Sequence, residues 1–146
     1  MRPFVISEYV RWGDIDLAGI IRYSAYLRFF ELAETEIFRA AGLPYGEVFE
    51  RFDIWLPRKL MHTEFFSPAV LDEQLNVATY FSLIGRTSLI INFDVMSAES
   101  GKQHATAHQV LVCVARKTMS KQALPVELVA ALEPFCALDK GSARNE

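Results

Sequence analysis

Between Ser24 and Ala41 the apolar residues Tyr26, Phe29, Phe30, Ala33, Ile37, Phe38 and Ala41 recur at steps of three and four. That spacing gathers them on one broad face of a helix. Ser24 is a residue type that caps helix starts, and Gly42 followed by Pro44 stops the helix. A stripe this wide and aromatic has to be wrapped by protein, and most of the remaining chain is β-type. "FVISEYVRW" predicts a strand over about Phe4 to Trp12. "IWLPRKLMHTEFF" ends at Ser67-Pro68, "EQLNVATYFSLI" turns at Gly85, "RTSLIINFDVMSA" turns near Ser100-Gly101, and "QHATAHQVLVCVAR" closes the set. Short glycine turns between three of these runs predict an antiparallel meander. "YGEVFERFD" reads as a connector, and "PVELVAALEPF" as a short terminal helix with proline in its first turn. The order strand, long helix, four strands, short helix predicts the α+β class, with one antiparallel sheet curled around one buried helix.

A length of 146 residues suits one domain with a real core. We place that domain at residues 1–135 and a polar C-terminal tail at 136–146. Eleven Phe and five Tyr are many for this length and imply a large core, a substantial subunit interface, or both. The net charge of -3 exerts no global pull toward nucleic acid or an anionic membrane, so any anionic ligand needs a local basic cluster. No apolar run approaches the roughly 20 residues that span a bilayer. "MRPFVISEYV" carries a charge in its middle and lacks the apolar region of a signal peptide, so a cytoplasmic location is expected. Cys113 and Cys136 sit in apolar surroundings without CxxC spacing, and read as small buried hydrophobes in a reducing compartment.

The loop "GDIDLAG" puts two acids, Asp14 and Asp16, just ahead of the aromatic helix. A turn needs at most one, through a side chain that bonds nearby backbone N–H groups. The other is a candidate for chemistry.

The element order together with "GDIDLAGIIRYSAYLRFFELA" resembles the hotdog-fold acyl-CoA thioesterases, specifically the 4-hydroxybenzoyl-CoA thioesterase family. That family carries D-x-D-x-x-G-I/H-V/I-x-Y/N-x-x-Y, met here by Asp14, Asp16, Gly19, Ile20, Ile21, Tyr23 and Tyr26. "VLVCVARKTMSKQALP" is similar to the family's last long strand and the "ALP" just beyond that strand, so the likeness runs over roughly residues 4 to 134. Leu17 departs from the proline frequent in the motif, a change in loop stiffness more than in chemistry. The resemblance implies Asp16 as the catalytic carboxylate and the Tyr23 backbone N–H as oxyanion donor. It implies an acyl-CoA substrate, no cofactor, sheets of two subunits joined edge to edge, and a homodimer or dimer-of-dimers tetramer.

The chemistry suits the residues. A thioester needs a nucleophile or activated water and a donor for the charge growing on its carbonyl oxygen. A helix N-terminus supplies unpaired N–H groups and the positive end of a dipole, and Gly19 lets backbone come close to a ligand. In the reading the resemblance implies, Asp16 is nucleophile or general base. Gly19, Ile20 and Tyr26 are expected near the acyl group. The phosphates of coenzyme A want Arg or Lys; Arg86 with Thr87 and Ser88 at the "GRTS" turn is favoured, then Arg58, over Lys59, Arg116 and Lys117. Glu31 and Glu34 read as solvated or interface charge, with Glu31 a minor catalytic candidate and Arg28 its partner at three residues' distance.

His104 and His108 share a face of a strand but lie roughly 13 Å apart at about 3.3 Å per residue, too far for one metal ion. His62 stands alone, there is no GxSxG, and no metal is expected. A hydratase of the Asp-x-x-x-x-His type is disfavoured, because Ile21 stands five residues after Asp16 and Gly19 five after Asp14. Two alternatives stay open: a thioesterase acting on acyl carrier protein, and an acyl-CoA-binding protein without turnover. No nucleic-acid motif is present.

Overall fold

The computed structural model describes residues 3–137. The tail expected at 136–146 therefore lies, beyond Ala137, outside the described residues. The chain runs β1 (Phe4–Tyr9), α1 (Tyr26–Ala40), α2 (Tyr45–Phe52), β2 (Ile54–Trp55), β3 (Arg58–Phe65), β4 (Gln74–Ile84), β5 (Ser88–Ser97), β6 (Gln103–Val112), β7 (Val114–Ala115) and α3 (Val126–Leu132). Five strands form one antiparallel sheet in the order β1-β4-β5-β6-β3, and β2 pairs with β7 in a separate two-stranded ribbon.

The central strands β4, β5 and β6 are the expected meander. β5 alternates between half-buried and buried positions along its whole length, as a strand with one face on a core must. Its inward residues Leu89, Ile91, Phe93 and Val95 meet the face of α1 carrying Phe29, Phe30, Ala33, Ile37 and Phe38. Phe30 stacks on Phe93 with ring centroids 4.9 Å apart, and Phe38 meets Phe81 edge-on at 6.1 Å. The opposite side of α1, with Leu27 and Glu31, stays exposed, so this single chain wraps the helix on one side only.

The helix stops where the sequence says, and the reason is visible. Gly42 adopts a φ of 82°, which a side chain would strain. From there Gly42 N–H bonds Arg39 O at 3.0 Å and Leu43 N–H bonds Phe38 O at 3.0 Å, the paired bonds of a Schellman cap.

Several expectations are corrected. The connector after the helix is α2, whose Tyr45, Val48, Phe49 and Phe52 follow helical spacing. The strand expected from Ile54 to Phe66 divides at Pro57, which has no N–H to donate to a ladder. β1 ends at Tyr9, and Trp12–Asp14 forms a 3-10 turn. The last strand divides into β6 and β7. Sequence neighbours β3 and β4 do not pair: β3 crosses to the far edge against β6, while β1 takes the edge beside β4.

One irregularity bears on the site. The β5–β6 register passes from Val95↔Ala105 to Met96↔Gln103, leaving His104 as the extra residue of a bulge. Across it, the N–H groups of Phe66 and Ser67 both point at His104 O, at 2.8 and 3.4 Å. His104 therefore does not follow the alternation it was assigned with His108. It is buried, whereas His108 is half-buried and stacks on His62 with ring centroids 5.2 Å apart.

Candidate active site

The loop between β1 and α1 is built on Asp14. Its carboxylate accepts hydrogen bonds from Arg11 N–H at 2.8 Å and from Arg28 Nε at 2.9 Å and Nη2 at 2.5 Å. Burial opposes ionisation of Asp14, but these bonds outweigh it and hold the carboxyl below its ordinary pKa. Arg28 also bonds Glu8 at 3.0 Å. The expected Arg28–Glu31 pair is thus replaced by an anchor from helix to loop.

Asp16 sits two residues further on, at the exposed rim. Asp16 N–H bonds Ile20 O at 3.0 Å and Gly19 N–H bonds Asp16 O at 3.0 Å, closing a tight turn. Gly19 takes a φ of 77° in that turn, a left-handed conformation that favours glycine. Asp16 Oδ1 accepts Ala18 N–H at 2.8 Å. Beyond the turn, Ile21 N–H bonds Ala69 O at 2.9 Å and Ile20 bridges to Val70, tying the loop to the segment after β3.

The result is a cavity of about 440 Å³ with Asp16 at one side. Ile20, Tyr23 and Tyr26 line it from the loop and the helix start, and Phe65 to Pro68 line the other wall. Tyr23 opens a 3-10 turn, Tyr23–Ala25, that leads directly into α1. The first N–H groups of such a start have no acceptor within the helix. Burial, and secondarily the charge of Glu73, push the Tyr26 phenol up to about 12.

Four of the residues singled out from the sequence, Asp16, Ile20, Tyr23 and Tyr26, thus meet around one cavity, with Gly19 in the turn that presents Asp16. The basic candidates lie elsewhere. Arg86 is exposed at the β4–β5 turn, and Thr87 and Ser88 come after it there, half-buried. Their backbone carbonyls accept Leu124, Cys113 and Gly85 N–H at 2.8 Å each. Arg58 lines a second cavity of about 510 Å³ together with Glu31 and Glu34.

Two groupings in this region escaped the sequence reading. Glu34 is buried rather than solvated: Arg58 Nη2 pairs with its Oε2, and Tyr45 donates to its Oε1 at 2.5 Å. Burial raises the Glu34 pKa, against the pull of Arg58 and Tyr45, and it raises that of Tyr45 further. Spacing did carry a sign of this, because Glu34 lies four residues from Phe30 and Phe38 and three from Ile37, on the apolar face itself. The second grouping is Ser67, His104 and Glu73. His104 Nδ1 lies 2.9 Å from Ser67 Oγ and 3.0 Å from Ser67 O, and its Nε2 lies against Glu73 Oε2 without forming a hydrogen bond. Ser67 Oγ is also 2.8 Å from Gln103 O. The only signal in the sequence was the breaker Ser67-Pro68 opposite a histidine whose strand register could not be known.

Comparison with known proteins agrees with this architecture. The model of the thioesterase-like superfamily matches residues 10–132. The acyl-CoA thioester hydrolase YbgC of Escherichia coli is 30% identical over 121 residues, spanning 83% of this chain and 89% of its own. The 1,4-dihydroxy-2-naphthoyl-CoA hydrolase of Nostoc punctiforme is 26% identical over 130 residues, spanning 89% of this chain and 86% of its own. In three dimensions, the 1,4-dihydroxy-2-naphthoyl-CoA thioesterase from Synechocystis superposes with a TM-score of 0.82 at 23% identity, over 88% of this chain and 94% of that one. A thioesterase superfamily member from Jannaschia gives 0.83 at 23% identity, over 93% and 94%. The shared architecture is the hotdog fold.

Proposed function

The chain belongs to the thioesterase-like superfamily, and on that premise we propose that it hydrolyses acyl-CoA thioesters to a carboxylic acid and CoA at the cavity bordered by Asp16. The observation that carries this reading is the position of the Asp16 carboxylate, on a rim shared with the helix start at Tyr23 and an otherwise largely apolar wall. A thioester carbonyl held there meets an acid on one side and backbone N–H groups, backed by the helix dipole, on the other. Asp16 either attacks the carbonyl carbon, expelling the CoA thiolate and leaving a mixed anhydride for water to open, or takes a proton from the attacking water. Neither route calls for a metal or cofactor. Phe65, Phe66, Tyr23 and Tyr26 suit an aromatic or aliphatic acyl group.

The nucleotide end of CoA carries phosphates, and the nearest reading for them is the Arg86–Thr87–Ser88 turn, presented by a second subunit. β3 is an edge strand with Leu60, Met61 and Phe65 exposed. An unpaired apolar edge is a ready template for pairing with another copy, which supports a homodimer, or two such dimers in a tetramer. Arg58, engaged by Glu34, is the weaker phosphate candidate. No helix among the described residues is long and apolar enough to cross a membrane, and a cytoplasmic location belongs to the same proposal.

Thiol release from a panel of aromatic, short-chain and medium-chain acyl-CoA esters, with wild type beside Asp16→Asn, tests the reading. Turnover that falls by about 10²–10⁴ in the variant is expected for loss of a base. Unchanged turnover removes Asp16 from the chemistry. A wild type inert toward every ester removes the acyl-CoA reading and favours an acyl-carrier-protein substrate. Single turnovers in ¹⁸O-water separate the two routes, since only direct attack leaves label in the Asp16 carboxylate.

A further inference from the structure

On the face of the sheet turned away from α1, two histidines stand side by side. The sequence left His62 alone and grouped His108 with His104, but the register sets His62 directly opposite His108, on the neighbouring strands β3 and β6. Opposed residues of an antiparallel pair hold their Cβ atoms about 4.5–5.5 Å apart. The two rings stack with centroids 5.2 Å apart and planes inclined by 25°. The α1 side of β3 is taken by Met61, which lines the larger cavity, and by Phe65, whose ring lies 5.4 Å from that of Tyr26. Alternation therefore turns Leu60, His62 and Glu64 to the outer face. There the His62 side chain is 54% exposed, with Glu64 Oε1 3.9 Å from its Nε2. Among the described residues no hydrogen bond engages either ring, so the ring nitrogens are open to a ligand.

Imidazole is a ligand that suits zinc, nickel and copper ions, and two facing imidazoles make one side of such a site. Among the described residues no three His, Cys, Asp or Glu side chains converge within one chain to close it. A third protein ligand has to come from a second copy, and β3 as an unpaired edge is where a second copy is proposed to join. A two-fold axis through the joined sheet keeps the outer face outer, and opposed residues share a face. Opposed residues of two β3 strands are thus both odd-numbered or both even-numbered. β3 is regular against β6 from Leu60 to Phe65, and two registers overlap that run best. One sets His62 opposite His62 of the partner subunit. The other, centred on Thr63, sets His62 opposite the partner subunit's Glu64. Each register puts a metal-ligating side chain next in line after His108 and His62.

We propose that His62 and His108 bind a divalent zinc-type ion whose third protein ligand is the partner subunit's His62 or Glu64, so that the ion fastens the edge-to-edge dimer on its outer face. The inference rests on the proposed self-pairing of β3 and is independent of thioester hydrolysis, because the histidines and the Asp16 cavity lie on opposite faces of the sheet. Zinc takes imidazole nitrogen at about 2.0–2.1 Å and carboxylate oxygen at about 2.0–2.2 Å, with water in a fourth position. The stacked rings turn their edges toward the ion to reach those distances, a rotation that an uncovered sheet face leaves open. Ligating imidazoles have to be unprotonated, so protons compete with the ion. Stoichiometry reports the register: half an ion per chain where two His62 rings share it on the axis, and one per chain where Glu64 completes each site.

The full chain, stripped with a chelator, is titrated with Zn²⁺ by calorimetry at pH 7.5, and its dimerisation is followed by sedimentation over a dilution series. Saturable binding at one of the two stoichiometries is expected. The dimer association constant should rise roughly tenfold per ion at free Zn²⁺ ten times its Kd. Both effects should be lost in His62→Ala and His108→Ala and fade toward pH about 5.5. For a dimer too tight to dilute apart, the Zn²⁺-dependent rise of its urea midpoint is read instead. Co²⁺ in place of Zn²⁺ gives a readout that needs no variant, and the intense visible bands of four-coordinate cobalt are expected. Absence of saturable binding, or only the weak bands of six-coordinate cobalt, overturns the proposal. Binding that both variants retain marks an adventitious ion only and overturns it as well, as does bound Zn²⁺ that leaves the dimer no stronger. A chain monomeric with and without Zn²⁺ overturns this site and the edge-paired dimer together, while thiol release is judged by its own assay. A Zn²⁺-fastened dimer inert toward every acyl-CoA ester supports the site and overturns the acyl-CoA reading instead.

Discussion

Of the cavities beside α1, the two larger treat their carboxylates in opposite ways. In the larger, of about 510 Å³, Glu34 is buried and both its oxygens are taken, by Arg58 and by Tyr45. In the smaller, of about 440 Å³, Asp16 is exposed and, among the described residues, bound only through Oδ1, to the N–H two residues on. Two residues earlier Asp14 repeats the first pattern, buried and held by Arg11 and Arg28. An acid whose two oxygens are both held by its own protein supports architecture. An acid with an oxygen open to a cavity can meet a substrate. Size alone would point to the cavity whose acid is already held on both oxygens.

The contrast is broken most directly by exchanging which acid is neutralised. Asp16→Asn lowers turnover by about 10²–10⁴ with a melting temperature close to wild type, whereas Glu34→Gln retains thiol release and alters stability. Loss of turnover in Glu34→Gln at unchanged stability would make the larger cavity catalytic and draw Glu31 back into consideration. Next in size is Arg58→Met. It leaves the Glu34 carboxyl buried without its cation, and breaking such a pair costs roughly 3–5 kcal/mol. The one-third exposure of Arg58 puts the expected loss, read by chemical denaturation, at the low end of that range.

Arg28→Met sharpens the comparison through pH. In the wild type Asp14 is held below its ordinary pKa, so its share of stability is present above the unfolded value of about 3.9 and is lost as pH falls through the lower folded value. Removing Arg28 takes away the main bonds that lower it, so the acid-unfolding midpoint moves to higher pH. An unmoved midpoint would show that Arg11 N–H alone holds Asp14. The smallest effect is expected of Gly19→Ala. No atom lies within 4 Å of the position a Cβ would take, so only the positive φ penalises it. The loss is about 1–2 kcal/mol, with KM for acyl-CoA rising more than kcat falls if the turn merely presents Asp16.

The long helix, its stop at Gly42, the three-stranded meander and the loop acid ahead of the helix were all legible in the chain's local order. Each of these rests on neighbours within a few positions, through helical or strand periodicity, glycine conformation and cap chemistry. Asp16 was marked by the resemblance that a short local motif carries, from Asp14 to Tyr26. Which strands pair at the edges came from three-dimensional packing alone, since β3 finds β6 about 45 positions away, a separation on which periodicity says nothing. α2 was hidden for a different reason: eight residues give barely two helical turns, too few for a stripe to stand out from a loop. Burial of Glu34 depended on an arginine 24 positions later, and the Ser67–His104–Glu73 grouping on one extra residue in a strand. A bulge reverses the face on which every inference from alternation places a side chain, and no local rule in the sequence announces it.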